Sequence, residues 1–509
     1  MTDHRRQGRE ARRSAAPARK MDYRHLRHPF MPQRVFSEDH VGAIHAMALR
    51  LLEELGLVVL LPEARAIYAR GGAIVKEESG LVRIGREIVQ AALGSAPRTI
   101  PIRAANPGRA LIYEEGALIF SAGAGCPNTQ DRVRGRRPGC LETYEETLKL
   151  QQGFDVIHTL GPASEPQDVP TPLRHYATMR AQLTLCDKPM FVYARGRAQV
   201  TDCFEMVHLA LDLDEAEFSA APWCTTVINT NSPRQIDKPM AEGIIDFARA
   251  GQLSIITPFC LAGAMAPVTV EGALVLQHAE CLAGITLAQL ARPGAPVSYG
   301  GFSTNVDMKS GAPAFGTPTH IRMAIGTGQL ARHIGLPWRS AAGSAANTAD
   351  MQAAGENHMG LWANLMANAT LVIHAAGWLE GGLSFGYEKF INDLEALQII
   401  AELCLSSAPG GDDLAWEALA DVPPGGQFFA TPHTMARFDR AFYAPLVADL
   451  SNYGTWEAAG ARTASERATA IWQQVLADYR PPSGAEERGA RIADFIARRS
   501  AEGGAPPAG

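Results

Sequence analysis

Between residues 116 and 406, short apolar runs alternate with longer helical segments, and few folds satisfy that rhythm. The runs fall at 118–122, 156–160, 190–193, 225–229, 253–259, 296–300, 338–342 and 369–376. Helical patterns follow them at 142–154, 173–185, 200–213, 239–250, 270–290, 319–334, 355–367 and 392–404. The clearest unit is 253–290. Its first residues are apolar and β-branched at Ile255, Ile256 and Thr257, as in a strand buried on both faces. Thr269 then caps a long helix whose surface is interrupted only by Glu271, Glu280, His278 and a few amides. Eight strands alternating with eight helices predict a parallel α/β fold, and the number matches a (β/α)₈ TIM barrel. A doubly wound open sheet has the same local pattern and stays open as the alternative.

The flanks have a different character. Residues 1–36 begin with Arg5, Arg6, Arg9, Arg12 and Arg13 and read as a basic flexible arm. An N-terminal α/β extension is expected over 37–115, with a hairpin introduced by Gly71 and Gly72. A C-terminal helical appendage rich in Phe and Tyr follows over 407–496, and a disordered tail over 497–509. A net charge of −6 gives no nucleic-acid or membrane-surface signature. The uncharged runs 250–270 and 357–379 are broken by prolines or diluted by amides and histidines, so neither is read as a membrane span. The eight cysteines are scattered without a CxxC, which fits free thiols in a reducing cytoplasm.

In such a fold chemistry gathers at the carboxyl ends of the strands. The residues there are rich in rings and amides, and the candidates for holding a substrate are Asn229, Phe259, Tyr299, Phe302, Trp338, Asp350, Glu356, Trp378 and Tyr387. Aromatic faces with a carboxylate or two suit a quaternary ammonium group, although the same rings would also serve as plugs of a barrel mouth. Other chemistries lack their parts. There is no HExxH, and His278-x-x-Cys281 alone makes no metal site. Gly382-Leu383-Ser384-Phe385-Gly386 matches GxSxG, yet a glycine-rich loop precedes it where a nucleophile elbow needs a strand. Gly123-Ala124-Gly125 is a tight turn and not a dinucleotide fingerprint. Lys188 precedes a strand, and Lys309 and Lys389 lie in polar loops, so no Schiff-base lysine is placed. The segment Asp155 to Gly161 is one residue too long for the DxHxxG of corrinoid-binding domains.

The chain resembles the trimethylamine methyltransferase (MttB-type) family, including its glycine betaine methyltransferase members that lack pyrrolysine. Asp187-Lys188-Pro189, Ala279-Glu280-Cys281-Leu282-Ala283-Gly284 and Asp307-Met308-Lys309-Ser310-Gly311-Ala312 carry the likeness. So do Leu336-Pro337-x-Arg339, Asp350-x-Gln352-Ala353 and Tyr387-Glu388-Lys389 with Asp393. The resemblance implies a TIM barrel that passes a methyl group from a small methylated amine or betaine to the cobalt of a separate corrinoid protein. No cofactor is expected on this chain itself, no catalytic side chain is singled out, and a homo-oligomer is expected. The family often has a Ser-Asp-Ala-Lys-like segment before Asp350. Here it reads Ser344-Ala345-Ala346-Asn347, which turns the expectation from trimethylamine toward a quaternary amine. If the amine is a betaine, Arg195, His158 or Asn229 is available to its carboxylate. A barrel lyase or aldolase, and a betaine-binding protein without catalysis, are the competing readings.

Overall fold

The computed structural model describes residues 21–405 and 413–507. Seven parallel strands form its centre: β1 (Ala117–Phe120), β2 (Met190–Phe191), β3 (Cys224–Ile228), β4 (Leu253–Ile256), β5 (Val297–Gly300), β6 (Trp338–Ala341) and β7 (Leu371–Ile373). Their order across the curled sheet is β1-β7-β6-β5-β4-β3-β2, every neighbouring pair parallel. The helices between and after them are α1 (Leu141–Gln152), α2 (Thr171–Leu185), α3 (Arg197–Leu211), α4 (Lys238–Ala250), α5 (Val270–Ala291), α6 (Pro318–Ile334), α7 (Met351–Ala367) and α8 (Tyr387–Leu403).

The strand expected at 156–160 is reduced to one parallel bridge, Ser121 to Thr159. The His158 N–H donates to the Phe120 carbonyl at 2.9 Å, and the Leu160 N–H donates to Pro189 at 3.2 Å. The cause is competition for an edge. Leu26–Arg27 pairs antiparallel with the first half of β1, with Leu26 opposite Leu118, and leaves only the end of β1 for residue 159. That pairing also corrects the expected arm. Its first twenty residues lie outside the described ones, but residues 21–36 are docked. Leu26 is buried, the Tyr23 hydroxyl donates to Arg109 O, and Gln329 Oε1 accepts from the N–H groups of Val35 and Phe36.

Helix α5 is apolar on every side because every side is covered. Helices Glu38–Arg50, Pro62–Arg70 and Arg86–Ser95 of the N-terminal section lie against it, with α4, α6 and the sheet on its other flanks. It is the one described helix long and apolar enough to cross a membrane, and nearly all of it is buried within the protein. The hairpin Thr99–Ile102 with Leu111–Glu114 packs Ile100, Ile102, Leu111 and Tyr113 against Ile119, Leu253, Ile255, Leu371 and Ile373. It therefore stoppers the amino end of the sheet. At the C-terminus, helix Ala464–Asp478 lies on α8 and helix Ala485–Ala501 lies on α2 and α3. The expected disordered tail is ordered up to residue 507. The helix runs through 501, Ala505 is buried, and its carbonyl accepts from Gln199 Nε2 at 2.7 Å.

Candidate functional site

Successive strand residues point to opposite faces, so each strand sends every second side chain inward. At the carboxyl end the inward residues surround a cavity of about 360 Å³. Thr257 and Phe259 come from β4 and the turn after it, Phe302 from beyond β5, and Arg339 from within β6. Thr225, Val227 and Asn229 come from β3 and its end, and His374 and Trp378 from beyond β7. Gly300, paired with Arg339 across β5 and β6, brings no side chain into that space, and a Cβ there would meet Thr257 Oγ1.

The rings form a contiguous cluster. Phe302 lies 5.3 Å from Phe259, 5.6 Å from His374 and 5.7 Å from Trp378, centroid to centroid. Trp378 stacks on His374 at 4.6 Å with 19° between the planes. Its indole is held between glycines. A Cβ on Gly343 would stand 2.4 Å from Cε3, and one on Gly382 would stand 2.6 Å from Cζ2. His374 Nδ1 accepts the N–H of Ala124, which puts the ring proton on Nε2, and burial holds the ring far below its ordinary range, hence neutral.

Charge is distributed unevenly. None of the described residues lining the cavity is Asp or Glu. Arg195, at the rim, gives Nη1 and Nη2 to Glu165 at 2.6 and 2.9 Å, and Glu165 also takes Arg174 at 2.8 Å. Arg339 is 3% exposed, with Cζ 5.4 Å from the Phe302 centroid, and among the described residues no carboxylate is paired with it. Burial pushes it down to about 9, so it stays charged at neutral pH. Three lining residues carry a buried polar atom without a hydrogen-bond partner: Arg339 Nε, Trp378 Nε1 and Thr257 Oγ1.

Of the nine candidates, the cavity gathers Asn229, Phe259, Phe302 and Trp378. The other five stand elsewhere. Tyr299 and Trp338 occupy outward positions of β5 and β6. The Tyr299 hydroxyl meets His278 Nδ1 at 2.9 Å, and the Trp338 indole donates to Asn368 O at 3.0 Å. Asp350 is an exposed N-cap accepting from the N–H groups of Gln352 and Ala353. Glu356 ties down the loop after β6 by accepting from Ser344 Oγ at 2.6 Å and Ala345 N at 2.8 Å. Tyr387 turns away from the mouth in the first turn of α8, donates to Glu146 and packs beside Arg134.

Among the lining residues outside the nine candidates, Arg339 and His374 bear most on the chemistry. Arg339 was visible as a charge inside an apolar parallel strand, where it has to face the interior. His158, considered for a carboxylate, is buried at the seam, where it accepts the Phe120 N–H and meets Arg24 O. Lys188 donates to Gln151 O and Phe154 O, and Lys389 is paired with Asp393, so neither lysine enters the cavity. Ser384 of the GxSxG segment is buried in a short strand, Ser384–Gly386, and is no nucleophile elbow.

A parallel α/β sheet whose carboxyl edge opens on a ring-lined cavity is the architecture of an enzyme for a small molecule. The chain belongs to the trimethylamine methyltransferase (MTTB) family, whose model matches residues 3–504. It is 34% identical to the glycine betaine methyltransferase of Desulfitobacterium hafniense (strain Y51), over 92% of this chain and 98% of that one. The trimethylamine methyltransferase MttB of D. hafniense (strain DSM 10664 / DCB-2) is 27% identical over 91% and 93%. Among solved structures, the monomethylamine methyltransferase MtmB of Methanosarcina barkeri covers 88% of this chain and 93% of its own, at 10% identity and a TM-score of 0.41.

Proposed function

We propose that this methyltransferase takes a methyl group from a small quaternary ammonium compound, such as a betaine, and passes it to the cobalt of a separate corrinoid protein. The observation that carries the reading is the cluster of Phe259, Phe302 and Trp378 around a cavity without a carboxylate. A quaternary nitrogen is attracted to ring faces and leaves as a neutral amine once its methyl departs. It therefore needs orientation and no proton. A tertiary amine needs an acid before it can leave, and the one histidine lining the cavity is held neutral. The name of the glycine betaine methyltransferase relative supports the same substrate class.

A corrin macrocycle exceeds a space of about 360 Å³, which supports an acceptor carried to the mouth by another protein. In its reduced state that cobalt supplies the nucleophile. The chain itself turns one methyl toward the mouth, holds the remaining methyls on Phe302 and Trp378, and excludes water with apolar walls. The bridge at Thr159 and the bond from Leu160 to Pro189 support a closed (β/α)₈ barrel around the cavity. The eight free cysteines support action in the cytoplasm. A homo-oligomer belongs to the same proposal, supported by Trp416, Phe429 and Phe442, each more than three-quarters exposed on the appendage. The test is methyl-cobalt formation, followed by absorbance, when purified protein is mixed with cob(I)alamin and a panel of methylated amines. Turnover of quaternary amines alone is expected. Turnover of trimethylamine alone, or of nothing in the panel, would overturn the reading.

A further inference from the structure

We infer that Arg339 is the carboxylate anchor of the cavity, so that the methyl donor is a compact zwitterion and not a bare ammonium ion. This rests on the quaternary-amine reading and adds the second half of the substrate. A guanidinium enclosed without a counter-charge is costly, and proteins keep one where something arrives to meet it. Three other arginines around this end of the molecule are met by carboxylates already: Arg195 and Arg174 by Glu165, and Arg136 by Glu380. Arg339 has no such partner among the described residues, and it is enclosed in the cavity.

Its placement is suited to the role. The neighbouring positions across the sheet are Gly300 and Leu371, neither of which competes for the guanidinium hydrogens. Tyr113 of the amino-end hairpin spends its hydroxyl on Ser298 Oγ at 2.7 Å. Trp378 Nε1 and Thr257 Oγ1 add unpaired donors in the same enclosure, so a carboxylate would find several N–H and O–H groups around it. The ring that Arg339 covers, Phe302, is also in edge contact with Trp378. A bare cation on these rings would share Phe302 with a like charge at low dielectric and be repelled. A molecule carrying its own carboxylate neutralises Arg339 and leaves the ammonium to the rings. Guanidinium and indole flank one phenyl ring, which limits the spacer to a few carbons.

The experiment is calorimetric titration of the full chain with betaines having one, two or three carbons between ammonium and carboxylate. Each is matched with the alcohol that replaces the carboxylate by a hydroxyl. Wild type should bind at least one betaine tenfold or more tighter than its alcohol, the scale of a charge-assisted hydrogen-bonded pair. Arg339→Met should erase that preference, and Arg339→Lys should restore part of it. The melting temperature of Arg339→Met should hold or rise, because an unpaired buried charge is gone. An arginine with a structural role would predict a drop instead. Equal affinity for betaine and alcohol in wild type, or an Arg339→Met variant that keeps its betaine preference, would overturn the assignment. So would a melting temperature that falls in Arg339→Met with no recovery of betaine affinity in Arg339→Lys. Binding needs no methyl transfer. Arginine-dependent binding without methyl-cobalt formation would therefore leave the anchor standing and remove only the transfer reading.

Discussion

Replacing Phe302 by Leu separates a cation-holding ring from a packing ring most sharply when Tyr299→Leu is made beside it. The two residues are three apart in sequence and belong to the same strand and its exit, yet they face opposite sides of the sheet. Phe302 lines the cavity and touches Phe259, His374 and Trp378. Tyr299 has no exposed surface and gives its hydroxyl to buried His278. A cation over a ring gains about 0.5–2 kcal/mol, depending on how dry the site is. At about 1.4 kcal/mol per decade, losing the Phe302 face weakens betaine binding by roughly twofold to thirtyfold. Leucine keeps most of the volume, so melting should fall by only a few degrees. Tyr299→Leu leaves a void and strips His278 Nδ1 of its partner in the core, a loss of about 2–4 kcal/mol, with affinity unchanged in whatever remains folded. Calorimetry with a betaine, together with urea unfolding, reads both quantities on both variants. If Phe302→Leu loses stability and keeps its affinity, the ring is a plug of the mouth and the cation site is misplaced.

Gly343→Ala should weaken betaine binding about tenfold or more without touching the ligand. Its φ of 110° disfavours any side chain, and the new methyl would sit 2.4 Å from the Trp378 indole. A shifted near-ultraviolet tryptophan signal should accompany the loss, and an unchanged affinity would refute the clamp. Burial holds His28, His45 and His320 down at about 4, below the 6.5 of an open chain. The unfolded chain therefore takes up protons first, and stability present above pH 6.5 should drain away as pH falls toward 4. A ring as enclosed as His320 contributes about 3 kcal/mol to that loss. Unfolding free energies that stay flat from pH 6.5 to 4.5 would count against the buried neutral histidines. Among the described residues no three or more His, Cys, Asp or Glu side chains converge to hold a metal ion. A chelator should accordingly change neither melting temperature nor betaine affinity, and stoichiometric zinc lost together with either would show otherwise.

What the sequence disclosed depended on how local the cause was. Strand and helix periods are set by neighbours, and seven of the eight expected strands and all eight helices appear near their expected positions. The reduced strand at 156–160 failed because its partner edge is taken by Leu26–Arg27, a pairing between segments far apart in the chain. Among the candidate site residues the errors follow from parity. Choosing every ring near a strand end takes both faces, and Tyr299 and Trp338 fall on the outer one. Counting back by twos from Phe302 would have passed through Gly300 and skipped Tyr299. Asp350 shows a second kind of error, since an Asp before a helix is first of all a cap. Arg339 shows the limit of any such reading. Its charge inside an apolar run was visible, but its significance lies in having no partner. A missing partner can be known only after the whole fold has been laid around the side chain.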